Sequence, residues 1–161
     1  MTLSSSIALI VFFLMSFSAA STGAVFRPGE WYANLQKPSW TPPNWVFPLV
    51  WSVLFCTIAV SGWLVWEAGG VAAWSALVLY AAHLAANSAW SFLFFGKKRL
   101  DWAMAEVIFL WLMIAGVIAA FAEFSLVAAL LLLPYLTWVS IAAALNLRLL
   151  QLNGPRGPAK T

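Results

Sequence analysis

Apolar runs of membrane-crossing length alternate with short polar breaks along almost the whole chain. The first run covers residues 5–25, SSIALIVFFLMSFSAASTGAV, and others cover residues 45–66, 71–95, 102–122 and 126–152. At 1.5 Å per residue each is long enough to cross an apolar core of about 30 Å. The breaks are brief: Glu67-Ala68-Gly69-Gly70, then Gly96 with Lys97, Lys98 and Arg99, then Glu123 to Ser125. Short connections make consecutive helices antiparallel, so the pattern predicts an all-α membrane protein, a five transmembrane helix bundle forming one domain over residues 1–153. Residues 154–161, GPRGPAKT, are polar and are expected to be a disordered tail.

One stretch breaks the pattern. Residues 31–51, WYANLQKPSWTPPNWVFPLVW, carry Trp31, Trp40, Trp45 and Trp51 among four prolines. Pro38, Pro42 and Pro43 each remove a backbone donor and disfavour helix in the residue before them. Yet the stretch is too aromatic for an ordinary solvated loop. It reads as a stiff lid over residues 27–43, followed by a helix that Asn44 is placed to cap.

Composition agrees with a membrane chain: 64% of residues are apolar, 8% are charged, and mean hydropathy is +0.93. A soluble domain carries about 25% charged residues. Charge also supplies an orientation. All eight basic residues, Arg27, Lys37, Lys97, Lys98, Arg99, Arg148, Arg156 and Lys160, fall on the side reached by the first loop, the third loop and the C-terminus. By the positive-inside rule that side faces the cytoplasm. Basic residues scattered among membrane segments do not form a nucleic-acid surface. The single cysteine, Cys56, excludes an internal disulfide, and one histidine, His83, excludes a multi-histidine metal cluster. The first run could also be a cleaved signal peptide with Ser18-Ala19-Ala20 as its cleavage site. No Lys or Arg precedes it, however, so the basic leader region is missing.

Depth picks out candidate site residues. Trp51 lies about 10 Å below the lid-side end of its helix, and Asn87 and Trp90 fall in the same layer. Trp138 is near mid-membrane. Trp63, Trp66, Trp74 and Trp102 instead sit at the two interfaces, where aromatic belts form. The deep tryptophans are either core or lipid packing, or the wall of a pocket. Asn87 favours the pocket, because an amide in hydrocarbon needs an internal partner or a ligand. His83, one turn before Asn87, is either an axial haem ligand or a neutral histidine bonded to a neighbouring helix, and without a second candidate ligand the latter weighs more. Pro134 is expected to bend the last helix and widen the space beside Trp138. Ala81, Ala85 and Ala89 form a small-residue seam on the third helix, with Gly116 and Ala120 as a rival on the fourth.

The block WYANLQKPSWTPPNWVFPLVW, with Asn87-Ser88-Ala89-Trp90, Phe94-Phe95-Gly96, Pro134-Tyr135-Leu136-Thr137-Trp138 and Leu145-Asn146, resembles the tryptophan-rich sensory protein/translocator protein family, TspO/MBR, that of the peripheral benzodiazepine receptor. The resemblance runs from the first helix to Asn153. It implies a five-helix bundle, usually dimeric, here through Ala81, Ala85 and Ala89 of the third helix, in what looks like a bacterial cell membrane. It also implies a ligand cavity in the cytoplasm-facing half. Trp31, Tyr32, Pro42 and Pro43 would form the cover, and Trp51, Asn87, Trp90, Trp138, Ala142 and Leu145 would lie below. His83 stands where relatives often have glutamine.

The implied ligands are porphyrins such as protoporphyrin IX or haem, and isoquinoline or benzodiazepine-type drugs. No obligatory cofactor or metal is implied. The sterol motif of animal members is not met, because Tyr135 is 13 residues from Arg148. The resemblance leaves three roles: a tetrapyrrole-binding sensor or regulator, a transporter of porphyrins or other hydrophobic molecules, and a light-dependent porphyrin-degrading enzyme. In the last, Trp51 or Trp138 would carry the redox chemistry.

Overall fold

In the computed structural model, which describes residues 2–157, every regular element among the described residues is helical. The long helices are α1 (Leu3–Val25), α3 (Val46–Gly69), α4 (Trp74–Ser91), α5 (Leu100–Ala122) and α7 (Leu133–Asn153), with short helices α2 (Glu30–Ala33) and α6 (Leu126–Leu131). Four stretches are long and apolar enough to cross a membrane: Leu3–Val25, Val46–Gly96, Leu100–Ala122 and Leu126–Asn153. The second has 51 residues, which as one straight helix would be about 75 Å long, far more than one crossing needs. It is broken at a 3₁₀ turn, Gly70–Ala73, and folds back on itself. The Tyr80 hydroxyl of α4 donates to the Ile58 carbonyl of α3 at 3.3 Å.

Two boundaries differ from the sequence expectation for local reasons. Asn44 does not cap α3: the Pro42-Pro43 pair leads into a turn, Val46 N–H to Pro43 O at 3.0 Å, and the helix starts at Val46 without a side-chain cap. Nor does Pro134 bend a continuous last helix. The chain separates into α6 and α7 at Leu132, which places Pro134 in the first turn of α7, where its missing N–H costs little.

Packed side by side, the rods run α1, α3, α6 with α7, α5, α4 and back to α1. Inward positions recur every three or four residues, as Leu100, Ala103, Val107, Leu110, Ile114, Val117 and Phe121 do on α5. Outward positions are equally apolar, for example Ile10, Leu14, Val53, Phe109 and Leu112, as a lipid-facing surface requires. Hydroxyl and indole hydrogen bonds tie the rods together. Ser16 bonds Tyr80 at 3.0 Å, Ser61 donates to the Ala128 carbonyl at 2.8 Å, and Trp111 Nε1–H donates to Ser140 at 2.9 Å.

The chain end after α7 is held rather than loose over residues 154–157, which differs from the expected disorder. Leu100 N–H donates to Pro155 O at 2.8 Å, and Trp31 Nε1–H donates to Arg156 O at 3.0 Å. Gly157 has φ +71 and sits so close that a Cβ would lie 2.7 Å from Leu35 and 3.1 Å from Trp31. The rest of that stretch, residues 158–161, lies outside the described residues.

Candidate functional site

At the end of the bundle where the first loop, the α4–α5 connection and the C-terminal end of α7 meet, the rods enclose a cavity of about 840 Å³. Small residues make the room on one side: Ala20, Ser21, Gly23 and Ala24 of α1 form a wall without bulk. Next to α1, α3 contributes Phe47, Trp51 and Phe55, and farther round the bundle α7 contributes Trp138, Ala142, Leu145 and Asn146. Asn87 and Trp90 come from α4, Val107 and Leu110 from α5.

After Ser91 the α4 helix widens into a π turn, Phe92–Gly96, closed by Lys97 N–H to Phe92 O at 2.8 Å. Such a turn often marks a functional site. Here it lets Phe94 stack on Trp90, with ring centres 4.7 Å apart, while Phe95 meets Tyr32 of the lid edge-on at 5.6 Å. The remaining plates are fixed in the same way. Trp51 stacks on Phe55 at 5.4 Å and meets Tyr135 at 6.0 Å, and Trp138 meets Phe47 at 5.7 Å. Asn87 Nδ2–H donates to the Tyr135 hydroxyl at 2.8 Å, which orients the amide. Three buried polar atoms of the lining have no partner among the described residues: Trp90 Nε1, Trp138 Nε1 and Asn146 Oδ1.

Of the residues singled out in the sequence, Tyr32, Trp51, Asn87, Trp90, Trp138, Ala142 and Leu145 line this one cavity. Trp31, Pro42, Pro43 and His83 do not. Trp31 packs edge-on against Phe94 and holds the chain end, above the cavity rather than in its wall. His83 is buried between the Tyr80 and Tyr135 rings, its Nδ1 against the Tyr80 carbonyl of its own helix. Sequence reasoning misses the α1 wall and Asn146. The run Ser18 to Ala24 carries the signal, since consecutive small residues in a membrane helix leave space. Asn146 carries the same signal as Asn87, a buried amide in an apolar helix.

The lid itself is latched. Gln36 N–H donates to Asn153 Oδ1 at 2.8 Å, and Asn153 Nδ2–H donates back to Gln36 O at 2.9 Å. Burial in this layer pushes the Tyr32 phenol above its ordinary value, so it stays protonated. Asn153→Ala is expected to speed hydrogen exchange of lid amides 31–36 by roughly 10-fold, since two hydrogen bonds are lost. Unchanged exchange would show that the pair does not hold the lid.

Comparison with known proteins gives one consistent result. The sequence profile of the TspO/MBR family matches residues 6–152. The chain is 42% identical to a "Tryptophan-rich sensory protein" of Cereibacter sphaeroides, covering 95% of this chain and 96% of that one. It is 37% identical to "Protein CrtK" of Rhodobacter capsulatus, covering 92% and 94%. It is 39% identical to the bovine "Translocator protein", covering 83% of each.

Proposed function

Because the chain belongs to the TspO/MBR family of membrane proteins, we propose that it binds a tetrapyrrole, protoporphyrin IX or haem, and acts as a membrane sensor or regulator. The observation that carries this is the 840 Å³ cavity walled by the fixed indoles of Trp51, Trp90 and Trp138. Aromatic faces stack on a flat ring, and an apolar, aromatic-lined cavity of this size is the usual form of a small-molecule site.

The folded-back Val46–Gly96 stretch counts as two crossings in this reading, making five in all, with the lid and C-terminus on the cytoplasmic side of a bacterial cell membrane. A homodimer would use Ala81, Ala85 and Ala89, of which Ala81 and Ala85 are exposed on α4. Binding is favoured over transport by the half of the bundle beyond the cavity. There Ile58, Tyr80, Ile114 and Phe121 are fully buried and close the way through, whereas a transporter needs access from both sides.

Protoporphyrin is expected to quench the tryptophan fluorescence of the purified protein saturably at micromolar concentration. Quenching that rises linearly without saturation would sink the binding reading. Illuminating the same samples tests the enzyme alternative, since a bound porphyrin degraded only to its free-solution photoproducts argues against catalysis by Trp51 or Trp138.

A further inference from the structure

Resting on the tetrapyrrole reading, we infer that Arg27 anchors the ligand's carboxylates at a side mouth of the cavity, with the apolar edge of the ring inside. Two observations meet at that place. The first is where the cavity is open. Every exposed residue of the lining lies on one of two adjoining segments, residues 17–28 or residues 44–52. Ser21, Ala24 and Arg27 stand on one side of this seam, and Asn44, Pro48 and Ser52 on the other. Ser52 is six residues into α3, so the opening reaches about 9 Å down the bundle. Phe17 on α1 and Leu49 and Val53 on α3 are exposed and apolar beside it, so the lower part of the mouth gives onto lipid. The residues that α4, α5 and α7 contribute to the lining are not exposed, and the cavity is closed on those sides.

The second observation is charge. Arg27 is the one charged residue among those lining the cavity, and it is exposed. Its Nε–H donates to the Ala24 carbonyl at 2.7 Å, which holds the guanidinium at the end of α1. Its two terminal NH2 groups have no partner among the described residues, where the one ion pair joins Arg99 to Asp101. Paired N–H groups of a guanidinium match the two oxygens of a carboxylate. Deeper in the cavity a carboxylate would find no cation, and burying it unpaired is strongly disfavoured. Protoporphyrin carries both propionates on one edge and only methyl and vinyl groups on the opposite one. The apolar edge therefore goes in among the indoles, and the propionate edge stays at Arg27, level with the headgroups.

The test compares protoporphyrin IX with its dimethyl ester, each titrated against the full chain in nonionic detergent by tryptophan quenching. In Arg27→Gln the acid is expected to bind roughly 10-fold more weakly than in wild type, and the ester equally well. Comparing each porphyrin with itself cancels the different partition of acid and ester into detergent. Arg148→Gln removes a basic charge from the same end of the bundle without touching the lining and is expected to change neither affinity. Acid binding that is unchanged in Arg27→Gln overturns the inference, as does an equal fall for acid and ester or an equal loss in Arg148→Gln. One arm needs no variant. Raising the ionic strength from about 0.01 M to about 0.15 M should weaken acid binding by wild type and spare the ester, and an equal response of the two overturns the inference as well. Saturable binding of both porphyrins without any dependence on Arg27 or salt would leave the tetrapyrrole reading standing; binding of neither would remove both.

Discussion

Trp51→Ala and Trp138→Ala are each expected to weaken protoporphyrin binding by roughly 10- to 100-fold, the scale at which a buried aromatic anchor contributes to an interface. Each indole is held before a ligand arrives, Trp51 by Phe55 and Tyr135 and Trp138 by Phe47. The ring therefore meets a surface whose ordering cost is already met by the fold. Alanine removes that plate and enlarges a cavity that is already about 840 Å³. Phenylalanine at 138 is the finer probe, because it keeps an apolar plate and deletes only the unpartnered N–H. Titration of detergent-solubilised variants reads the effect, and wild-type affinity in both alanine variants would count decisively against this cavity as the binding site.

Gly62→Leu is expected to abolish folding, and Gly62→Ala to lower thermal stability. Gly62 of α3 faces the Phe12 ring of α1 and the Tyr80 ring of α4. A Cβ there would lie 2.7 and 2.9 Å from Phe12 ring carbons and 3.0 Å from Tyr80 Cζ. Tyr80 cannot yield freely, since its hydroxyl is bound by Ser16 and itself bonds the Ile58 carbonyl. Overpacking of this sort costs about 1–3 kcal/mol, against which alanine gains up to about 1 kcal/mol in helix propensity. Leucine has no such margin. Thermal unfolding followed by circular dichroism in detergent distinguishes the two, and a Gly62→Leu protein as stable as wild type would refute the packing described.

Much of the site was legible because depth in a membrane helix follows from counting. Trp51, Asn87, Trp90 and Trp138 all line the cavity, as their depths suggest, and Ala142, which the family resemblance implies, lines it with them. The α1 wall was not legible in the same way. Where lipid and core are equally apolar, a helix shows no periodicity to mark its inner face, and of these small residues only Ser18-Ala19-Ala20 stand out in the sequence, as the cleavage site of the alternative signal-peptide reading. Trp31 misled for another reason. Its indole serves the chain end, through a backbone carbonyl of Arg156 that any residue would supply.

From its residues alone this chain is a helical membrane protein with its aromatic chemistry beside one end, because a segment in lipid must satisfy its own backbone and so declares its length and composition. The family follows from the same residues. Which faces turn inward, that α1 is a cavity wall, that Asn153 latches the lid and that Asn146 is tied to the Leu100 carbonyl were decided only by the tertiary structure. Those depend on how rods of similar hydrophobicity rotate against one another, and that rotation is set by close contacts such as Gly62 with Phe12 and by single buried hydrogen bonds.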